Sequence, residues 1–171
     1  MKIYKNFIKK EYSNKINDEL LKPYFPWYYN KSQTGGNDTS FMSHIFHNGN
    51  DINSDYFHLV EPILEKLKIK YLINVRANLC LKRPSRCSWH VDDLMPGGKY
   101  VANNKDLKHT TAIYYVNTNN GSTLFKNFKN VKCEKNKIVI FDANLHHKAK
   151  IQTNTDTRMV ININYKHYEV L

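Results

Sequence analysis

From Tyr71 to Tyr165 the chain is a succession of short β-forming runs separated by turn residues, with no helical period between them. The runs are Tyr71–Leu81, Ser88–Asp92, Thr110–Asn117, Ser122–Phe125, Lys137–Phe141, His146–Ile151 and Thr157–Tyr165. Many short strands without intervening helices predict a sandwich or a barrel. Two of the runs alternate cleanly. In the last, Met159, Ile161, Ile163 and Tyr165 oppose Arg158, Val160, Asn162 and Asn164; in the first, Ile73, Val75, Ala77 and Leu79 oppose Asn74, Arg76, Asn78 and Cys80. One face can pack on helices while the polar face lines a cavity.

Those helices are expected upstream. One covers Ser13–Leu21 and ends before Pro23; a second starts at Ser54, a good N-cap. Over 54–67, Phe57, Val60, Leu64 and Leu67 recur at three- and four-residue steps, giving an apolar face for core packing. Pro26–Tyr29 is an extended aromatic stretch whose Trp27, Tyr28 and Tyr29 could line a substrate groove but whose density is usual for core, and Ser32–Thr39 is a polar loop containing glycine. The Met95–Lys108 connection is long for a hairpin, as lids are. The fold class is therefore mainly β with flanking helices (α+β). It is expected as a single domain over 1–171, with 1–70 a helical support region and 71–166 the core that carries the site.

At 171 residues and 41% hydrophobic content, one core can bury about two thirds of the unfolded surface without disulfide staples. No apolar run approaches the roughly 18 residues of a membrane span, and Met1–Lys10 lacks a signal-peptide apolar segment. Three cysteines (Cys80, Cys87 and Cys133) without repeated spacing suggest reduced thiols and a cytoplasmic location, the host's if the chain is viral. The net charge of +11 raises nucleic acid as a partner. The excess is mostly scattered lysine accompanied by Asn and Ile, residues that share A/T-rich codons, so base composition is the simpler source. A basic stripe beside the active site would favour nucleic acid instead.

His90 and Asp92 stand two apart in Trp89-His90-Val91-Asp92-Asp93, a spacing that sends both side chains to one face of a strand. One imidazole and one carboxylate are two legs of the facial triad that holds iron(II) with open positions. The third leg must come from a later histidine, and His146 and His147 are both candidates. Arg158 follows on the polar face of the last strand. Other patterns carry less. Cys87-x-x-His90 is half a zinc site without a second half, His44 and His47 have no suitably spaced carboxylate and suit surface or loop positions, and no phosphate-binding glycine loop or Gly-x-Ser-x-Gly elbow exists.

The ordered set resembles the 2-oxoglutarate/iron(II)-dependent dioxygenase superfamily, in particular its prolyl-hydroxylase-like branch and the small oxygenases of bacteriophages. It runs Arg76-Ala77-Asn78-Leu79, His90-Val91-Asp92, Ile113-Tyr114-Tyr115-Val116-Asn117, Gly121-Ser122-Thr123-Leu124-Phe125, Phe141-Asp142, His147, then Thr155-Asp156-Thr157-Arg158. The resemblance implies a double-stranded β-helix, a distorted jelly roll supported by the N-terminal helices. It implies iron held by His90, Asp92 and His147, the last because the family places its distal histidine six positions after that phenylalanine. Arg158 would bind the distal carboxylate of 2-oxoglutarate, with Tyr115 donating to the same group. Asn78 and Arg76 would face the cavity toward cosubstrate or substrate, with Asn162 as a further lining residue. Cys80 stands near a position where relatives carry a polar cosubstrate contact, and Asn119-Asn120-Gly121 where the family turn often has two glycines.

The implied reaction consumes dioxygen and 2-oxoglutarate and hydroxylates a side chain of a protein or peptide. Oxidation or demethylation of nucleic acid is the enzymatic alternative, and a jelly-roll binding or structural protein without turnover the other.

Overall fold

β-branched and aromatic residues fill alternate positions of the two longest strands, and these pair to make the middle of the molecule. The computed structural model describes residues 1–32, 38–83, 87–92 and 109–167. In chain order the elements are β1 (Lys2–Tyr4), α1 (Lys10–Leu20), β2 (Tyr28–Asn30), β3 (Phe41–Asn48), β4 (Asp51–Ile52), α2 (Glu61–Leu64), β5 (Ile69–Leu81), β6 (Thr110–Tyr115), β7 (Ser122–Phe125), β8 (Val131–Lys132), β9 (Lys137–Asp142), β10 (His147–Lys150) and β11 (Thr157–His167). β5 and β11 run antiparallel from Thr157 opposite Leu81 to His167 opposite Ile69. The main sheet has the order β1-β9-β6-β11-β5-β3-β2, with β4 on β3; a smaller sheet has the order β10-β7-β8.

The alternation fixes two cores, one on each side of the main sheet. Val75, Ala77 and Leu79 of β5 join Met159, Ile161, Ile163 and Tyr165 of β11 against Ile16 and Leu20 of α1 and against Val60, Ile63 and Leu67. On the other side Ile113, Tyr115, Val139, Phe141 and Val160 meet Phe125, Val131 and Cys133 of the smaller sheet's segment. The two facing sheets and the helical layer are the jelly-roll architecture expected from the sequence. Arg158, Asn162 and Asn164 thus point into the space between sheets, where polar groups need partners.

Three local expectations need correction. Residues 54–67 are not one helix but a 3-10 turn (Asp55–Leu59), the short α2 and a second 3-10 turn (Glu65–Leu67). Pro62, which has no N–H to donate, sits in the first turn of α2, and Lys68 ends the segment in the left-handed region at φ 50°. Val60 and Leu67 are buried as their spacing requires, and Ser54 accepts from the Tyr56 N–H as a cap. Next, the first seventy residues supply sheet as well as helix, because β3 pairs with β5 and β1 with β9. Finally, Ser88–Asp92 forms no full strand; it is joined to β10 through a single bridge, His90 to His147.

His44 and His47 are buried on β3 rather than on the surface. His44 Nδ1 donates to the Pro26 carbonyl at 2.8 Å, and its Nε2 lies 2.7 Å from the Ser54 hydroxyl. Tyr28 and Tyr29 of the aromatic stretch are exposed, not core. The Met95–Lys108 connection and most of the Ser32–Thr39 loop lie outside the described residues.

Candidate metal and cosubstrate site

Two short ladders build the centre. His90 N–H donates to the His147 carbonyl (3.1 Å), His147 N–H donates back to the His90 carbonyl (2.9 Å), and Asp92 N–H donates to the Ala143 carbonyl (2.9 Å). His90 is thereby set against β10, and Asp92 against the turn that follows β9. The ligand atoms of His90, Asp92 and His147 all lie within 4.8 Å of one another. Asp92 Oδ1 is 3.8 Å from His90 Nε2, and Oδ2 is 3.7 Å from His147 Nε2. Those separations are too long for hydrogen bonds. They suit donors grouped around a shared ion.

The donor chemistry fits iron(II). His90 Nδ1 donates to the Ser88 carbonyl at 3.1 Å and His147 Nδ1 to the Leu145 carbonyl at 2.9 Å. Each bond puts the proton on Nδ1 and leaves the Nε2 lone pair directed at the centre. Burial, opposed by the nearby Asp92 charge, lowers the pKa of His147, which keeps the imidazole neutral as a ligand must be. Two imidazoles and one carboxylate are the donor set of non-haem iron(II) sites with open positions. His146, the other candidate, is exposed and is not grouped with these donors.

Asp92 is further held from the main sheet. Thr111 Oγ1 donates to Asp92 Oδ2 at 3.1 Å, and Asn164 Nδ2 donates to Thr111 Oγ1 at 3.0 Å. Thr111 and Asn164 are both buried. Strand alternation places Asn164 on the polar face without a role and marks Thr111 in no way. The signal available was only a polar residue at the inward phase of each strand.

A cleft of about 610 Å³, counting its open mouth, runs between the sheets beside this centre. Asn78, Cys80, Cys87, His90, His147, Arg158 and Asn162 are among its lining residues. Arg158 is buried, and its Nε donates to Cys133 Sγ at 3.2 Å. Among the described residues no carboxylate forms an ion pair with it; the neighbouring Asp156 is exposed and offers its carbonyl to Lys82 N–H and Gln152 instead. Among the described residues Arg158 has the Cys80 and Cys133 sulfurs and the Tyr115 phenol as neighbours, none of which supplies the counter-charge that burial demands. Gly121 makes room for it: a Cβ there would stand 2.8 Å from the Lys150 carbonyl and 3.1 Å from Arg158 Cδ.

Tyr115 is wholly buried beside Arg158, and its hydroxyl donates to Thr123 Oγ1 at 2.7 Å; Thr123, a residue without a signal in the sequence, lines the cleft. Arg76 stands two residues further along β5 from the open end than Asn78. Its guanidinium lies over the Phe41 ring at 5.8 Å, and it does not line the cleft. Asn78 and Asn162 do line it, each with a side-chain oxygen that is buried and unpartnered among the described residues. All three cysteines are free. Burial raises the thiol pKa of Cys80 and pushes Cys87 up to about 11, so both line the cleft as neutral thiols.

Neither a protein-family model nor a curated protein sequence matches the chain. Solved structures do match. A prolyl hydroxylase from Trichoplax adhaerens, in complex with a hypoxia inducible factor oxygen degradation domain peptide fragment, superposes with a TM-score of 0.63 at 16% identity, over 96% of this chain and 82% of that one. A Pseudomonas putida prolyl-4-hydroxylase gives 0.63 at 10% identity, covering 98% and 92%. HygX from Streptomyces hygroscopicus, with nickel and 2-oxoglutarate bound, gives 0.64 at 11% identity, covering 98% and 82%. The chain shares its fold with 2-oxoglutarate/iron(II) oxygenases.

Proposed function

We propose that the protein is an iron(II)- and 2-oxoglutarate-dependent oxygenase that hydroxylates an amino-acid side chain of a protein or peptide, releasing succinate and carbon dioxide. One observation carries the reading: His90 and His147 of a largely buried His-Asp-His donor set line the same cleft as the buried Arg158, which has no carboxylate partner among the described residues. Iron(II) held by His90, Asp92 and His147 would supply dioxygen activation and C–H oxidation coupled to 2-oxoglutarate breakdown.

The chain's own groups set the conditions. Arg158 would take the distal carboxylate of 2-oxoglutarate, since a planar guanidinium binds such an anion through two parallel bonds. The Thr123 hydroxyl, oriented by Tyr115, lies on the same cleft wall. Ile113, Ala149, Ile151 and Val160 make the remaining wall apolar and keep bulk water from the reacting groups. Asn78 and Asn162 offer amide groups for cosubstrate or substrate.

A peptide substrate is supported by a second depression that shares Ser40, Phe41, Leu81 and Arg83 with the cleft and continues to Tyr29 and Met42. Tyr29 is 68% exposed and Leu81 51%. A largely apolar depression that continues from the cleft suits a peptide entering it.

The test is succinate release from iron(II), 2-oxoglutarate and pools of peptides or nucleic acids. Release above background with a peptide pool is expected. Release with nucleic acid alone would replace the substrate, and neither turnover nor cosubstrate binding would leave a binding or structural protein. Calorimetric metal titration accompanies it: His147→Ala should lose iron and His146→Ala keep it, and the reverse pattern would move the ligand role to His146.

A further inference from the structure

The smaller sheet, whose strand β10 begins at His147, has a second face. On β10, His147 and Ala149 line the cleft, so the alternation turns Lys148 and Lys150 outward. On β7, Thr123 lines the cleft and Phe125 lies in the inner core, so Leu124 faces outward opposite Lys148, and Lys126 continues that face beyond the strand's end. Trp89, one residue before the ligand His90, is 38% exposed. Lys148 Nζ lies 4.7 Å from the centre of its ring and Lys126 Nζ 6.0 Å. Phe128, on the connection from β7 to β8, is 51% exposed.

The charge here is concentrated rather than scattered. Residues 122–132 and 143–150 contain five lysines (Lys126, Lys129, Lys132, Lys148 and Lys150) and no Asp or Glu. Lys126, Lys129, Lys132 and Lys150 are exposed. These lysines lie on the outer face of the smaller sheet and do not line the cleft, so the stripe is a surface separate from the substrate site.

We propose that the outer face of the smaller sheet, centred on Trp89, Lys126 and Lys148, binds single-stranded nucleic acid. Lysines act as mobile point charges that neutralise phosphates, whereas recognition of carboxylates in an acidic peptide favours the two-pronged arginine, and the stripe contains none. Exposed indole and phenyl rings give unpaired bases a surface to stack on, and aromatic rings set among lysines are the composition of sequence-tolerant single-strand sites. The ammonium groups beside the indole put phosphate neutralisation and stacking within one nucleotide's reach. The inference stands apart from the oxygenase reading, because neither the metal nor the cleft takes part.

The chain has two tryptophans. Trp27 donates its Nε1–H to the Leu20 carbonyl and packs on Phe25, so Trp89 is the exposed reporter. The experiment titrates metal-free full-length protein with oligothymidylate and with poly-glutamate of equal charge, reading tryptophan fluorescence at several salt concentrations. Oligothymidylate should quench the fluorescence, and the quench should vanish in Trp89→Phe. Lys126→Gln/Lys148→Gln should weaken binding about tenfold and reduce the slope of log K against log salt by roughly 1.4, the loss expected for two phosphate contacts to a single strand. Lys10→Gln/Lys15→Gln on α1 should change neither. Three results would overturn the proposal: no binding at low salt, poly-glutamate binding and quenching as strongly as oligothymidylate, or equal losses in the α1 variant. A failed succinate assay would leave it untouched.

Discussion

Asp92 is held by a relay that starts on the central strand: Asn164 fixes the Thr111 hydroxyl, and that hydroxyl fixes one carboxylate oxygen. Groups that orient a metal ligand contribute to affinity without touching the ion, typically tenfold to a hundredfold. Thr111→Val keeps the shape, removes the donor and leaves Asp92 Oδ2 and Asn164 Nδ2 short of partners. Iron(II) affinity measured by calorimetry should fall by about 10–100-fold, and Thr111→Ser should restore most of it. An unchanged affinity in the folded Val variant would reduce the relay to packing. This relay was illegible in the sequence because a threonine on a strand looks the same whether its hydroxyl is idle or holds a ligand. The candidates His90, Asp92 and Arg158 stood out for the opposite reason, since their chemistry is expensive to bury without purpose; the choice of His147 over His146 came from the family resemblance.

At the scale of elements, long alternating strands announced themselves and short or polar ones did not. β5 and β11 were readable from period two alone. β3 was hidden because it buries Ser43, His44 and His47 alongside Phe41 and Phe46, and a register shift between Ile45 and His47 breaks its alternation. The junction between β8 and β9 was equally silent. Asn136 there takes a left-handed conformation (φ 63°), accepts from Ile8 N–H at 3.0 Å and Tyr114 hydroxyl at 3.2 Å, and donates to the Ile8 carbonyl at 2.8 Å. It clips the N-terminal segment to the main sheet. Asn136→Gly keeps the backbone conformation and removes the bonds, so unfolding free energy should drop by about 2–4 kcal/mol in denaturant titration, at about 1 kcal/mol per lost bond plus the penalty for buried groups left unpaired. Iron affinity should stay within a few-fold, since the clip is remote from the centre. A large loss of metal with unchanged stability would contradict that division.

For the whole molecule, two cores share one sheet: the helix-side core supplies rigidity, and the inner core holds the polar constellation. Burial also couples the fold to pH. Desolvation lowers the pKa of His44 and His47 below the ordinary value of 6.5. As pH falls below that value, the unfolded chain takes up protons that the folded chain refuses, so stability present at neutral pH is lost on acidification. The melting temperature should fall between pH 7 and pH 5, and His44→Gln should flatten the profile; a profile unchanged by the substitution would remove His44 from the account.

The central claim is that the cleft binds 2-oxoglutarate through both the metal and Arg158. Calorimetric titration of 2-oxoglutarate under anaerobic conditions, with and without iron(II), tests it in wild type and Arg158→Ala. Removing one member of a buried charge pair costs about 2–5 kcal/mol, so the variant should bind roughly thirty- to several thousand-fold more weakly while its iron affinity changes little. Wild-type binding should require the metal. Metal-independent binding, or an unchanged affinity in a folded Arg158→Ala protein, would contradict the claim.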